Sequence, residues 1–189
     1  MQQPAGDIAR LIHQAKGYDR EAFAELYRFA VGPVYRYLSA RIDRVEMVEE
    51  LTQEVFMAAL TGIQALRAED ESSLMAWLFQ IARNKLADHL RGKYRRPSAP
   101  IEEAEEVESQ LPRPDEVAEL REERAEVREA LERLTPDQRE VIVCKYVLGY
   151  DNERTARVVG KNINSVNQLH HRALASLHRL LNRAERAVT

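Results

Sequence analysis

The chain is expected to be all-α, built as two small helical domains joined by a flexible acidic linker. Three observations predict this. Apolar residues recur at helical spacing along most of the length. Only 7 glycines and 7 prolines punctuate 189 residues, and aromatics make up 6%. Four prolines and a glutamate run gather between Pro97 and Pro114, where apolar residues are scarce. The expected boundaries are 1–96 for the first domain, 97–114 for the linker and 115–189 for the second domain.

The elements follow in order. Ile8, Leu11, Ile12 and Ala15 keep helical spacing, and Asp19 is placed to cap a helix carrying Phe23, Leu26, Tyr27 and Ala30. Gly32-Pro33 is expected to interrupt that stripe, which resumes with Val34, Tyr37, Leu38 and Ile42. Val48, Leu51, Val55, Ala59 and Leu60 form the next stripe, broken near Thr61-Gly62. Arg67 to Ser73 reads as a polar loop, with Ser72 or Ser73 able to cap the helix of Trp77, Leu78, Ile81, Ala82 and Leu86. Beyond the linker, helical pattern returns from Asp115 with Val117, Leu120, Val127, Leu131 and Leu134. Thr135-Pro136 suits an N-cap followed by proline at the first helical position. That helix carries Val141, Ile142, Cys144, Tyr146 and Val147 to Gly149, which ends it. Asp151 caps a short helix, Gly160 turns the chain, and a last helix runs from about Asn164 to Ala184.

Composition narrows the function classes. No apolar run approaches the roughly 20 residues that span a bilayer. The opening Met1-Gln-Gln-Pro-Ala-Gly-Asp7 has neither a basic nor an apolar leader region, so no signal peptide is expected and a cytoplasmic location fits best. The one cysteine, Cys144, lies in an apolar run and reads as a buried structural thiol. The net charge of −3 hides an asymmetry: Ile81–Pro97 holds six Lys/Arg against one acid, whereas Ser98–Glu126 holds eleven acids against three arginines. An acidic chain can thus carry a local polyanion-binding face.

Two constellations stand out. On the basic helix Arg83, Asn84, Asp88 and Arg91 fall three, four or seven residues apart and share a face opposite Leu78, Ile81, Ala82 and Leu86. Guanidiniums suit phosphates, Asn and Asp suit base edges, and Trp77, Phe79 and Tyr94 offer flat surfaces for unstacked bases. The competing reading is a solvated face with Trp77 in the core. The segment from Asp151 to Leu181 matches a helix-turn-helix whose second helix opens with Asn164, Ser165, Asn167, Gln168, His171 and Arg172, where base contacts are made. The competing reading is a helical hairpin with a polar outer face. His170, His171 and His178 lack an acid or cysteine to complete a metal set. No phosphate loop, serine elbow or other catalytic constellation is present, so neither enzyme activity, metal nor cofactor is expected.

The motifs Phe23-Ala-Glu-Leu-Tyr27, Val34-Tyr-Arg-Tyr-Leu38, Val48-Glu-Glu-Leu-Thr-Gln-Glu-Val-Phe56 and Ala76-Trp-Leu-Phe-Gln-Ile-Ala-Arg-Asn-Lys-Leu-Ala-Asp-His-Leu-Arg91 resemble region 2 of the extracytoplasmic-function (group IV) sigma factors of bacterial RNA polymerase. Leu134-Thr-Pro-Asp-Gln-Arg-Glu-Val-Ile142 and the helix-turn-helix resemble region 4. The resemblance implies a promoter-specificity subunit in which 1–96 is region 2 and 115–189 is region 4.

It further implies that an exposed face around Glu50, Leu51, Gln53, Glu54 and Phe56 docks on the clamp helices of the largest polymerase subunit, although the spacing of Phe56 also allows a core position. The loop from Glu69 to Ser73 and the Trp77–Arg91 helix would melt the −10 element and hold its non-template strand, through Ser72, Ser73, Trp77, Arg83, Asn84, Asp88, Arg91 and Lys93. The last helix would enter the −35 major groove, with Lys161, Asn162, Asn164, Ser165, Asn167, Gln168, His171 and Arg172 as its DNA-facing residues. The linker would thread toward the RNA exit path. The implied partners are core polymerase, including its flap region, promoter DNA and an anti-sigma factor, without membrane insertion.

The resemblance is imperfect in region 4. Thr155 stands where an aliphatic is usual, and Lys161 where an aliphatic commonly follows the turn glycine. His170 falls at an expected core position and Leu169 on the expected DNA face. A different class of function, a degenerate sigma-like regulator that occupies polymerase or an anti-sigma factor without opening promoters, gains some support from that irregularity. A stand-alone repressor leaves Glu46–Phe56 unexplained.

Overall fold

The structure, a computed structural model, describes residues 5–68, 70–95 and 125–185, with side chains over 7–68, 70–91 and 125–182. The linker 97–114 and Glu69 lie outside the described residues, as do the side chains of Lys93 and Tyr94. Every regular element among the described residues is helical.

Four helices make the N-terminal unit: α1 (Ala5–Lys16), α2 (Arg20–Ser39), α3 (Val45–Gly62) and α4 (Glu71–Arg95), with a 3₁₀ turn at Ile63–Ala65. Successive helices pack on one another, and α4 closes back on α2. Asp19 caps α2 as expected, its carboxylate accepting from Glu21 N at 2.9 Å and Ala22 N at 3.1 Å. Gly32-Pro33 does not interrupt α2, which runs unbroken through Pro33. An interior proline costs about 3 kcal/mol. Burial of Ala30, Val34, Tyr37 and Leu38 on both sides of it offsets that cost. Helix α4 starts earlier than expected: Asp70, rather than Ser72 or Ser73, supplies the cap, accepting from Ser73 N at 2.7 Å. The same bond, with that of the Ser73 hydroxyl, holds the Asp70 carboxyl below the usual carboxylate range.

The C-terminal unit holds a helix described over residues 125–132 (α5), then α6 (Pro136–Ile142), a π turn at Val143–Val147, α7 (Asn152–Val159) and α8 (Ile163–Glu185). Thr135 and Gln138 form a capping box around Pro136. Asp151 caps α7 through Arg154 N at 2.7 Å, and Gly160 ends it at φ +67°, a conformation that favours glycine.

The two units are not separate bodies. Val143, Cys144, Leu148, Tyr150 and Val158 join the same buried cluster as Ile8, Tyr37, Phe79 and the rest of the N-terminal core. Burial pushes the Cys144 thiol up to about 12, which fits the structural role expected of it. The C-terminal unit keeps small cores of its own, around Leu131, Leu134, Ile142 and Ala173 and around Val141, Ala156 and Val166.

Candidate nucleic-acid interface

Helix α4 divides its residues between core and surface according to periodicity. Leu78, Phe79, Ala82 and Leu86 are buried. Phe79 is therefore no platform for bases: it is fully enclosed and stacks on Tyr37 with ring centroids 4.9 Å apart. Trp77 is half-buried against the core beside Gly62, where an added Cβ would meet its ring at 3.4 Å. Asn84, Asp88 and Arg91 are exposed, and Asp88 pairs with Arg91. Ser72 is buried, and the Ser73 hydroxyl is engaged with Asp70 at 2.7 Å. Lys85 reaches across to Glu54 of α3 at 2.9 Å.

Arg83 leaves this face for another partner. It donates to Glu140 of α6 at 3.0 Å and to Gln80 at 2.8 Å. The other oxygen of Glu140 accepts from the Tyr37 hydroxyl at 2.7 Å and from Arg41 at 2.6 Å. Arg41 also bonds the Tyr37 oxygen, and its guanidinium lies 4.2 Å from the centroid of that ring. Nearby, Arg154 of α7 pairs with Glu71 at the start of α4 and lies over the Tyr150 ring at 4.0 Å. The C-terminal unit thus sits on the side of α4 from which Arg83 projects.

In the helix-turn-helix, Asn164, Gln168, His171 and Arg172 are exposed together on one face of α8. Ser165 is half-buried. Asn162 caps α8, accepting from Ser165 N at 2.8 Å, and Lys161 pairs with Asp137 at 2.8 Å. Asn167 is half-buried and accepts from Asn152 at 2.8 Å, while Asn152 accepts from Lys145 at 2.6 Å. Leu169 does not lie on the outer face. It packs against Val141, Ala156 and Val166, because α8 is turned so that Val166 and Ala173 point inward. His170 is displaced to the edge, 3.0 Å from the Tyr146 hydroxyl, with the two rings stacked at 5.8 Å. Among the described residues no cluster of three or more His, Cys, Asp or Glu is arranged for a metal.

On α3 the expected exposed face contains two core residues. Leu51 and Phe56 are buried, Phe56 against Tyr27 with centroids 4.7 Å apart. Glu50 and Gln53 are exposed and Glu54 partly so. Leu60, read as part of the core stripe, is 48% exposed, and Met57 is 63% exposed. Gln53, Met57 and Leu60 are spaced to form one surface strip. Two exposed apolar residues seven or fewer positions from a polar stripe are the signal that sequence reading passed over.

Comparison with known proteins adds identity to this geometry. A family model described as Sigma-70 region 2 matches residues 22–96, and one described as Sigma-70, region 4 matches residues 124–177. The ECF RNA polymerase sigma factor BldN of Streptomyces coelicolor is 33% identical over 187 residues, covering 95% of this chain and 69% of BldN. The ECF RNA polymerase sigma factor SigD of Mycobacterium tuberculosis is 32% identical over 171 residues, covering 88% of this chain and 80% of SigD. Among solved structures, CnrH in complex with the cytosolic domain of CnrY superposes with a TM-score of 0.63 at 26% identity, covering 94% of this chain and 98% of that one.

Proposed function

Because this chain belongs to the extracytoplasmic-function sigma factors of RNA polymerase, we propose that its two helical units divide promoter recognition between them. The protein is a sigma factor that directs promoter-specific initiation by core polymerase, and has no catalytic role of its own. Residues 1–96 act as the −10 and polymerase-binding domain, 97–114 as the linker and 115–189 as the −35 domain. Its place of action is the cytoplasm, where polymerase and chromosome meet. No helix among the described residues is long and apolar enough to cross a membrane.

The single observation that carries the site assignment is the polar outer face of α8, where Asn164, Gln168, His171 and Arg172 stand exposed immediately after the turn. The matching assignment on α4 gives Asn84 to base contact and Arg83, Arg91 and Lys93 to phosphate, with Trp77 stacking on an extruded base. Polymerase docks on the strip of Glu50, Gln53, Glu54, Met57 and Leu60, with Leu51 and Phe56 supporting it from within. Since the structure similar to this chain includes a partner bound to CnrH, an anti-sigma factor that covers these faces is the expected regulator.

Geometry adds a requirement. The −10 and −35 elements lie about 25 base pairs apart, or roughly 85 Å at ~3.4 Å per pair. A compact chain of 189 residues has a radius of gyration of only about 16 Å. Linker residues 97–114 reach up to about 60 Å when extended. The two units therefore part before both elements are held.

In vitro transcription with purified core polymerase and a genomic promoter library tests the assignment. Initiation dependent on this protein is expected, falling sharply with Asn84→Ala and with Gln168→Ala plus Arg172→Ala. Initiation indifferent to these substitutions would overturn the site assignment.

A further inference from the structure

We propose that Arg41, Arg83 and Tyr37 form a binding site for a backbone phosphate of the melted promoter strand, and that Glu140 fills this site when the two units are closed. The proposal rests on the reading of α4 as the −10 helix. It adds two residues, Arg41, which lies outside the motifs, and Tyr37, to which its motif gave no role, and a competition that the separate domain assignments do not contain.

The three donors belong to one rigid unit and the acceptor to the other. Tyr37 is on α2, Arg41 just beyond its end and Arg83 on α4, and Tyr37 is fixed by its stack on Phe79. Their donor atoms meet on the two oxygens of a single carboxylate at 2.6, 2.7 and 3.0 Å. That carboxylate is buried on α6, a helix that must travel with the C-terminal unit. When the unit leaves, two neighbouring guanidiniums and a phenol are left without an anion. A phosphodiester presents the same fork, two unesterified oxygens sharing one negative charge, and guanidinium pairs match it as they match a carboxylate. Gln80 links the site to exposed Asn84: its amide oxygen accepts from Arg83 at 2.8 Å and its amide nitrogen donates to Asn84 at 3.1 Å, so the phosphate site borders the face read as contacting the strand.

One set of donors cannot hold both anions. Closure therefore lowers the affinity of α4 for DNA, and DNA lowers the tendency to close, by the same factor. The Arg154–Glu71 pair and the shared apolar cluster strengthen the closed side of this balance.

The full-length chain is titrated onto a labelled, mixed-sequence single-stranded 20-mer by fluorescence anisotropy, since a phosphate site is indifferent to sequence. Closure is followed by energy transfer between dyes at Gln14→Cys and Glu132→Cys. Glu140→Gln is expected to open the chain and bind the strand about tenfold more tightly, within the usual range of such coupling. Its log–log salt slope steepens by about 0.7, the increment for one phosphate on a single strand. Arg83→Gln also loosens closure, yet binds no more tightly than wild type. Because Arg83 is the least buried of the three, this variant decides the matter even if Glu140→Gln fails to fold. Opening by Arg83→Gln accompanied by tighter binding than wild type would overturn the phosphate site, as would an open Glu140→Gln with unchanged affinity. In the opened Glu140→Gln background, binding sensitive to Asn84→Ala but not to Arg83→Gln sinks the phosphate site alone. Binding insensitive to both sinks the −10 assignment beneath it.

Discussion

The Tyr37 hydroxyl donates to the Glu140 carboxylate at 2.7 Å across 103 positions of sequence. Tyr37 is wholly buried and stacked on Phe79, so its hydroxyl is held at that carboxylate without freedom to find water. Tyr37→Phe keeps the stack and removes the donor; a hydrogen bond to a charged group contributes about 2 kcal/mol. Urea unfolding should show a loss of that size with little change in slope. Glu140→Ala should cost more, about 3–5 kcal/mol, because it strands the buried Arg41 guanidinium without its anion. Equal losses for the two variants would show that Arg41 finds another partner.

Thr155 is fully buried in α7 and its hydroxyl has no hydrogen-bond partner among the described residues. A lone buried hydroxyl costs about 1–3 kcal/mol, and valine has nearly the same shape without it. Thr155→Val should therefore raise stability by about 1 kcal/mol in thermal or chemical melts. A loss of stability would mean that the hydroxyl is satisfied in solution.

How much of this was legible beforehand depended on range. Asp19, Thr135, Asp151 and Gly160 act within one turn of themselves, and each was found where its neighbours put it. Faces of single helices were half legible. A 100° step places Leu51 and Phe56 near the boundary between stripe and surface, and only packing against Tyr27 settles Phe56 as core. The Glu140 cluster was not legible at all. Glutamate in Asp137-Gln-Arg-Glu140 reads as solvated, and Arg83 reads as a free phosphate ligand. Their partnership exists only because two units distant in sequence share one apolar cluster. Pro33 shows the same limit from the other side, since local propensity argued for a break that tertiary burial overrode.

His170 gives the C-terminal unit a pH dependence. Burial, then the positive charges of Lys145 and His171, lower its pKa from the usual 6.5, and its ring faces the Tyr146 hydroxyl. The folded state thus binds the proton less readily than the unfolded chain. Its contribution is complete above about pH 6.5 and is lost as pH falls through the lowered value. Thermal melts from about pH 7.5 to about pH 5 should show wild type losing stability more steeply than His170→Asn. Parallel slopes would place the pH dependence elsewhere.

Lys145 determines which group Asn167 has free to offer a partner. An ammonium has donors only, so Asn152 must turn its oxygen to Lys145, which lies 2.6 Å away. Asn152 then presents its amide nitrogen to Asn167 at 2.8 Å, and Asn167 must answer with its oxygen. The outward group of Asn167 is its NH₂, a pure donor. Adenine recognition by asparagine needs both a donor and an acceptor, whereas guanine N7 or O6 and thymine O4 need a donor alone. A selection of −35 sequences by the holoenzyme should therefore favour an acceptor edge opposite Asn167 over adenine. Asn152→Ala frees the Asn167 oxygen, and the same selection should move toward adenine at that position. Lys145→Met leaves Asn152 in place but releases its polarity, so it should broaden the preference rather than shift it fully. An adenine preference already present in the wild-type protein would show that the chain of amides runs the other way or that Asn167 does not reach a base.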